Sequence, residues 1–243
     1  MVGCQSNSFV LYGVRSLDWS ENTGRSFRRK LASEQRAVMT AQHPLTPRRQ
    51  PSQRRSQATV EVILTAAAQV LDRTGLAGFT TNAVAERAGV SIGSVYQYFP
   101  NKDAITAALI ARSSASLRTA LASAIDQATG QPLHTGLTLL VRAAVAHQLA
   151  RPALERTLDQ QELRLGLAVA DAANLMLLRA DLIRFLDHHQ GTLTSPDHAS
   201  LASDALAIAR ALIDGAACRG ELDAQRLERD VVRTLIAFLA GPS

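Results

Sequence analysis

Ser94, Tyr96, Gln97, Tyr98 and Lys102 are the residues whose types and spacing best suit recognition chemistry in this chain of 243 residues. All lie within the stretch TTNAVAERAGVSIGSVYQYFPNKD, from Thr80 to Asp103. An amide such as Gln97 can pair bidentately with adenine, and Ile92 and Tyr side chains can touch a thymine methyl. Lys102, Tyr98 and Ser94 suit phosphate oxygens. A solvated helix face normally shows Glu, Lys and Arg, but the run from Ile92 to Phe99 has none. Gly93 would let backbone approach another surface closely. The competing reading makes Tyr96 and Tyr98 mere packing aromatics. Taken as a set, the residues point to base edges and phosphates of duplex DNA.

The elements that must position them are legible nearby. Thr80 or Thr81 can cap a helix whose first turn has orphan N–H groups. Ala83, Val84, Ala85 and Ala88 make a short apolar face with Glu86 and Arg87 outward. Gly89 suits a left-handed helix stop, and Val90 would plug the angle that follows. Ser91 caps a second helix from about Ile92 to Phe99, with Val95 and Phe99 facing inward. Pro100 forces a break in the residue before it. Asn101 restarts a helix, and Asp103 favours its positive end. The spacing predicts a helix-turn-helix.

From about Val60 to Leu109 the chain resembles the DNA-binding domain of TetR-type transcriptional regulators. The resemblance rests on ILTAAAQVLDRTGLAGFTT, on VAERAGVS and on the run GSVYQYFPNKDAI. It implies three N-terminal helices, a long fourth helix leading to a ligand domain, and a homodimer. It carries Ile92, Gly93, Ser94, Tyr96 and Gln97 over as base-facing residues, and Thr81, Ser94, Tyr98 and Lys102 as phosphate-contacting ones, beside the cap Ser91. The chain departs in having Val95 where Leu is common and in its uncharged recognition helix, a departure that bears on the operator sequence and not on the fold.

Apolar residues make up 47% and aromatics 4% of the chain. Ala and Leu dominate, which favours close-packed helices over sheets, and an all-α fold is expected. The two cysteines, Cys4 and Cys218, fall in a tail and a helix, so no structural disulfide is expected and a reducing cytoplasm fits. No apolar run reaches the roughly 18 residues of a membrane span. The net charge is +5, but residues 1–55 hold ten Lys+Arg and three Asp+Glu, leaving −2 for residues 56–243. The globular part is therefore near neutral.

Residues 1–55 read as a disordered basic tail, with clusters such as PRRQPSQRR. Two readings stay open: a basic arm along DNA, or a natural start at Met39. Arg48, Arg49, Arg54 and Arg55 remain in either case, and Arg54 and Arg55 are candidate phosphate contacts. Residues 56–103 are read as the helix-turn-helix domain and residues 104–243 as a helical effector-binding and dimerisation domain. Helical spacing runs from Gln57 to Thr74 and ends at Gly75. Further helices are expected over 104–128, 133–149, 152–165, 167–188, 197–217 and 224–239.

Leu201, Ala205, Ile208, Leu212 and Ala216 form one stripe, and Leu227, Val231, Leu235 and Phe238 another. They suit a four-helix interface between two copies about a two-fold axis, or simply the core of one copy. The resemblance implies a cavity among the middle helices. Leu140, Ala144, His147, Leu163, Leu167, Met176, Leu177 and Phe185 are the candidates to line it, for a small apolar or amphipathic effector. Glu155, Asp159 and Glu162 read as a solvated face. His188, His189 and His198 lack partners at metal-ligand spacing, and no nucleotide or nucleophile motif frames any residue. Neither metal, cofactor nor enzymatic activity is expected. The reading is a dimeric regulator on an operator, in form a repressor released by an effector. A DNA-bound adaptor sensing a protein, or a helical enzyme, is the alternative.

Overall fold

The computed structural model describes residues 54–167 and 172–241, with side chains described over 56–167 and 174–241. The basic tail, the Met39 start, Arg48 and Arg49 lie outside the described residues. Among the described residues nine α-helices run in order: α1 Arg54–Gly78, α2 Thr81–Ala88, α3 Ile92–Tyr98, α4 Lys102–Ala128, α5 Leu133–Ala150, α6 Pro152–Leu165, α7 Ala172–Asp187, α8 His198–Arg219 and α9 Ala224–Ala240. A short 3-10 turn, Gln190–Thr192, follows α7, and no strand occurs among the described residues. None of these helices is long and apolar enough to cross a membrane.

Local chemistry punctuates the first four helices. The Thr80 hydroxyl accepts from Ala83 N at 3.1 Å and opens α2. Gly89 closes it at φ 65° and ψ 30°, a left-handed conformation costly for any residue with a Cβ. The Ser91 hydroxyl accepts from Ser94 N at 3.0 Å and opens α3. The Asn101 carbonyl oxygen accepts from Ala104 N at 2.8 Å and opens α4. Helix α1 begins at Arg54, two residues earlier than the tail boundary expected, and breaks at Gly75 (φ 62°, ψ −168°) before one more short turn.

Two apolar cores result. The first joins α1, α2, α3 and the start of α4 around Phe79, Val84, Val95 and Phe99, and α6 adds Leu154 and Leu158 to it. The second joins the far half of α4 with α5, α7, α8 and α9. Helix α4 spans both. Arg112 on α4 clamps α1, its guanidinium donating to Leu64 O at 3.1 Å. Helices α5 and α7 meet at Gly136, where a Cβ would stand 2.5 Å from the Phe185 ring, so only glycine allows that approach.

Candidate nucleic-acid interface and effector cavity

Helix α3 is anchored by its inward face and left open on the other. Val95 and Phe99 are fully buried, whereas Ile92 is 38% and Tyr96 43% exposed. Ser91, Gly93, Gln97 and Lys102 are also exposed, and Thr81, Ser94 and Tyr98 are half-buried. Exposed apolar and aromatic side chains on a helix with no solvating charge are what a recognition surface requires. A Cβ at Gly93 would meet nothing closer than the Ser91 hydroxyl at 3.7 Å. No internal contact therefore demands glycine there.

Hydrogen bonds preorganise part of this face. The hydroxyls of Tyr96 and Thr81 lie 3.2 Å apart, which fixes the Tyr96 ring against α2. The Ser91 and Ser94 hydroxyls pair at 2.8 Å. Neither Gln97 nor Lys102 uses its side chain in a hydrogen bond or ion pair among the described residues, so both are available to a ligand. Tyr98 packs partly against the first core, so the packing role is real for its ring. Arg54 and Arg55 stand in the first turn of α1, their side chains outside the described ones.

Behind this head, α4, α5, α6, α7 and α8 border a partly open cavity of about 290 Å³. Ile110, Leu117, Leu121, Leu178 and Ile213 supply apolar wall, but Glu155, Asp159, Glu162, Asp214, Arg118 and Arg210 line it too. Helix α6 turns three of those carboxylates to the cavity and buries Leu154 and Leu158 in the first core, with Leu158 bordering the cavity as well. Glu162 is only 8% exposed; Arg210 donates to it at 2.5 Å and reaches Asp214 at 3.3 Å. Asp159 accepts from Gln148 at 3.1 Å. Burial, reinforced by the charges of Asp214 and Glu155, pushes the Asp159 carboxyl up to about 6. Burial also raises Asp214, with Arg210 opposing. The Ser113 hydroxyl donates to Glu155 at 2.6 Å and lies 3.4 Å from His147 Nε2.

Residues 63–109 match the family model described as bacterial regulatory proteins, tetR family. Residues 132–239 match that of the tetracyclin repressor-like C-terminal domain, so the two together account for well over half the chain. The chain belongs to the TetR family. It is a DNA-binding transcriptional regulator by that membership. Solved structures share the fold. A TetR-family transcriptional-regulator candidate from Mesorhizobium loti MAFF303099 is 18% identical, with 77% of this chain and 100% of that one covered at a TM-score of 0.64. The fatty acid degradation regulator FadR from Bacillus halodurans is 20% identical, covering 73% of this chain and 94% of its own at 0.61. SmeT, solved in complex with triclosan, is 24% identical, covering 76% and 92% at 0.55. No curated protein matches the sequence.

Within this TetR-family chain, several residues stand elsewhere than the sequence suggested. Of the expected cavity lining, only Ala144 and His147 border the cavity. Leu140 and Phe185 are spent in the second core. Leu163, Met176 and Leu177 are 79%, 70% and 53% exposed, on the outer faces of α6 and α7. Leu167 falls before α7 and packs towards the first core. Glu155, Asp159 and Glu162 are not a solvated face: α6 is covered on that side by α4 and α8. The stripes read as an interface between copies also need correction. Leu201, Ala205, Ala216, Leu227, Val231 and Leu235 are buried within a single chain, since α8 and α9 turn those faces onto α5 and α7. Ile208, Leu212 and Phe238 stay partly exposed. Among the histidines, His189 stacks against Phe185 with ring centroids 4.8 Å apart, and His198 Nδ1 lies 2.6 Å from Asp187.

Proposed function

We propose that this regulator is a repressor that holds a palindromic operator as a dimer and releases it when a small amphipathic molecule fills the cavity. The observation that carries the reading is the double role of α6. Its Leu154 and Leu158 belong to the core of the DNA-binding head, while Glu155, Asp159 and Glu162 on the same helix line the cavity. A molecule that displaces α6 must therefore move the support of α1. A second tie runs from Arg164 near the end of α6 to Asp103 at 2.6 Å, one residue from Lys102. Release requires that the effector bind the displaced arrangement better than the operator-bound one.

On DNA, Gln97, Ile92 and Tyr96 are assigned to base edges, and Lys102, Ser94, Thr81 and Tyr98 to phosphates, with Arg54 and Arg55 as further phosphate contacts. Ser91 serves first as the cap that sets α3. The head spans residues 56–103 and the effector and dimerisation region 104–243. So short a reading helix gains affinity by pairing, with two heads about 34–36 Å apart or a multiple of it. The exposed edges of α8 and α9 near Ile208, Leu212 and Phe238 are the surface assigned to the second copy. Two similar folds support a ligand-responsive reading: SmeT was solved with triclosan, and FadR is a fatty acid degradation regulator. An adaptor with a filled core is less well supported, given a cavity of about 290 Å³.

Footprinting the purified chain on DNA flanking its own gene, at several salt concentrations, tests this. A protected palindrome is expected, with affinity falling steeply as salt rises because each phosphate contact releases counterions. Protection that ignores salt, or none on any genomic fragment, would defeat the reading.

A further inference from the structure

The charge balance of the cavity limits what it can hold. Four carboxylates line it against two guanidiniums. Arg210 is already engaged by Glu162 and Asp214. Glu155 and Asp159, one helical turn apart on α6, have no cation within ion-pairing distance among the described residues; they accept only from the neutral Ser113 and Gln148. Two like charges at that spacing repel on a helix, and burying a charge without a counter-charge costs more still. A cavity built only to be filled by its own fold would lose nothing by having neutral groups there. Arg118 on α4 adds a second observation. It borders the same cavity, and its Nε is buried with no hydrogen-bond partner among the described residues, so the fold itself leaves that donor unsatisfied.

We propose that the effector is an amphipathic organic cation, its ammonium group held at Glu155 and Asp159 and its apolar body against Leu117, Leu121 and Ile213. The inference rests on the cavity being the effector site. An ammonium there supplies a close counter-charge and donates to carboxylate oxygens in charge-assisted hydrogen bonds, stronger than neutral ones. An anionic ligand anchored on Arg118 is the competing occupant, but it would bring a further negative charge into a lining that is already negative. The raised Asp159 carboxyl agrees: burial and the neighbouring carboxylates hold it up against the weaker pull of Gln148 and the more distant Arg210, and a bound cation would add to that pull.

Calorimetric titration of the full chain with three molecules of one shape tests the inference: phenylbutylamine, phenylbutanol and phenylbutyrate. At neutral pH the amine should bind at least tenfold more tightly than the alcohol, and the butyrate most weakly. In Asp159→Asn, a near-isosteric change whose melting curve checks folding, the preference for the amine should shrink to a few-fold or less. Equal binding of amine and alcohol to the unaltered chain would overturn the inference. So would tightest binding of phenylbutyrate, although the cavity would then still be an effector site anchored at Arg118. Failure of all three to bind at millimolar concentration would overturn both the cation and the effector reading. Binding of the amine without any loss of operator affinity would uphold the ligand class while defeating the release mechanism.

Discussion

In the head, Phe79, Val84, Val95 and Phe99 are each no more than 1% exposed and close a small core of apolar side chains. In the region behind it, five helices leave about 290 Å³ unfilled and turn carboxylates and guanidiniums into the gap. The head is organised to be rigid and to show an uncharged face outward. The cavity region accepts buried charge that weakens it. A surface that reads a fixed partner benefits from complete packing, whereas a site that must respond to a transient one carries its imbalance until the ligand arrives. Helix α6 belongs to both, which is why an event in the cavity can reach the head.

The sharpest way to break this comparison is to open the head core. Phe99→Ala removes a fully buried ring and should cost about 3–5 kcal/mol. Thermal unfolding should then show the head melting before the second core, with operator binding lost. A single, unsplit transition at reduced temperature would mean that the two cores unfold as one unit and that the contrast between them has no thermodynamic counterpart.

The outward face is tested next. Gln97→Ala should cost about 1–3 kcal/mol on a specific operator and nothing measurable in stability, since the side chain is exposed. Equal losses on operator and random DNA, read by competition binding, would remove Gln97 from base reading. Lys102→Ala should instead weaken all sequences alike and reduce the salt slope by about one counterion.

The difference between the regions also explains what could be read from the sequence. Thr80, Gly89, Ser91 and Asn101 act within a few residues of where they stand, so the caps and the turn of the head are local signals; all four take those roles. The described helices follow for the same reason. The cavity is assembled from α4 to α8, over residues 110–214, and no local pattern says which polar face is covered. Glu155, Asp159 and Glu162 have the spacing of any solvated face; their burial comes from α4 and α8 packing over them. Leu163, Met176 and Leu177 misled in the opposite sense, because apolar character does not reveal the direction in which a side chain points.

The cost of the buried charge is measurable through Asp159. Its carboxyl titrates near 6, above the ordinary 3.8. The folded chain therefore binds more protons than the unfolded one between those values, and stability falls as pH rises from about 4 to 6, staying low above. Asp159→Asn keeps an acceptor for Gln148 and removes the charge. It should raise stability at neutral pH by roughly 1–3 kcal/mol and flatten that part of the pH profile. Unchanged stability at pH 7 would show the carboxylate to be adequately solvated in the cavity.

The smallest effect is expected at the Arg164–Asp103 pair, where the two regions touch. Its side chains are 49% and 26% exposed, so the interaction should contribute no more than about 1 kcal/mol to stability. Asp103 also sits in the first turn of α4, where a negative charge is favoured with or without Arg164. A double-mutant cycle, Arg164→Ala with Asp103→Asn, separates the two contributions by reading only their coupling. Run on operator affinity with and without effector, the same cycle measures how much the link between α6 and α4 transmits. If α6 acts on the head chiefly through Leu154 and Leu158, the coupling should be equally small in both states. A coupling that grows when effector is bound would move the transmitting contact from the buried leucines to this surface pair, beside Lys102.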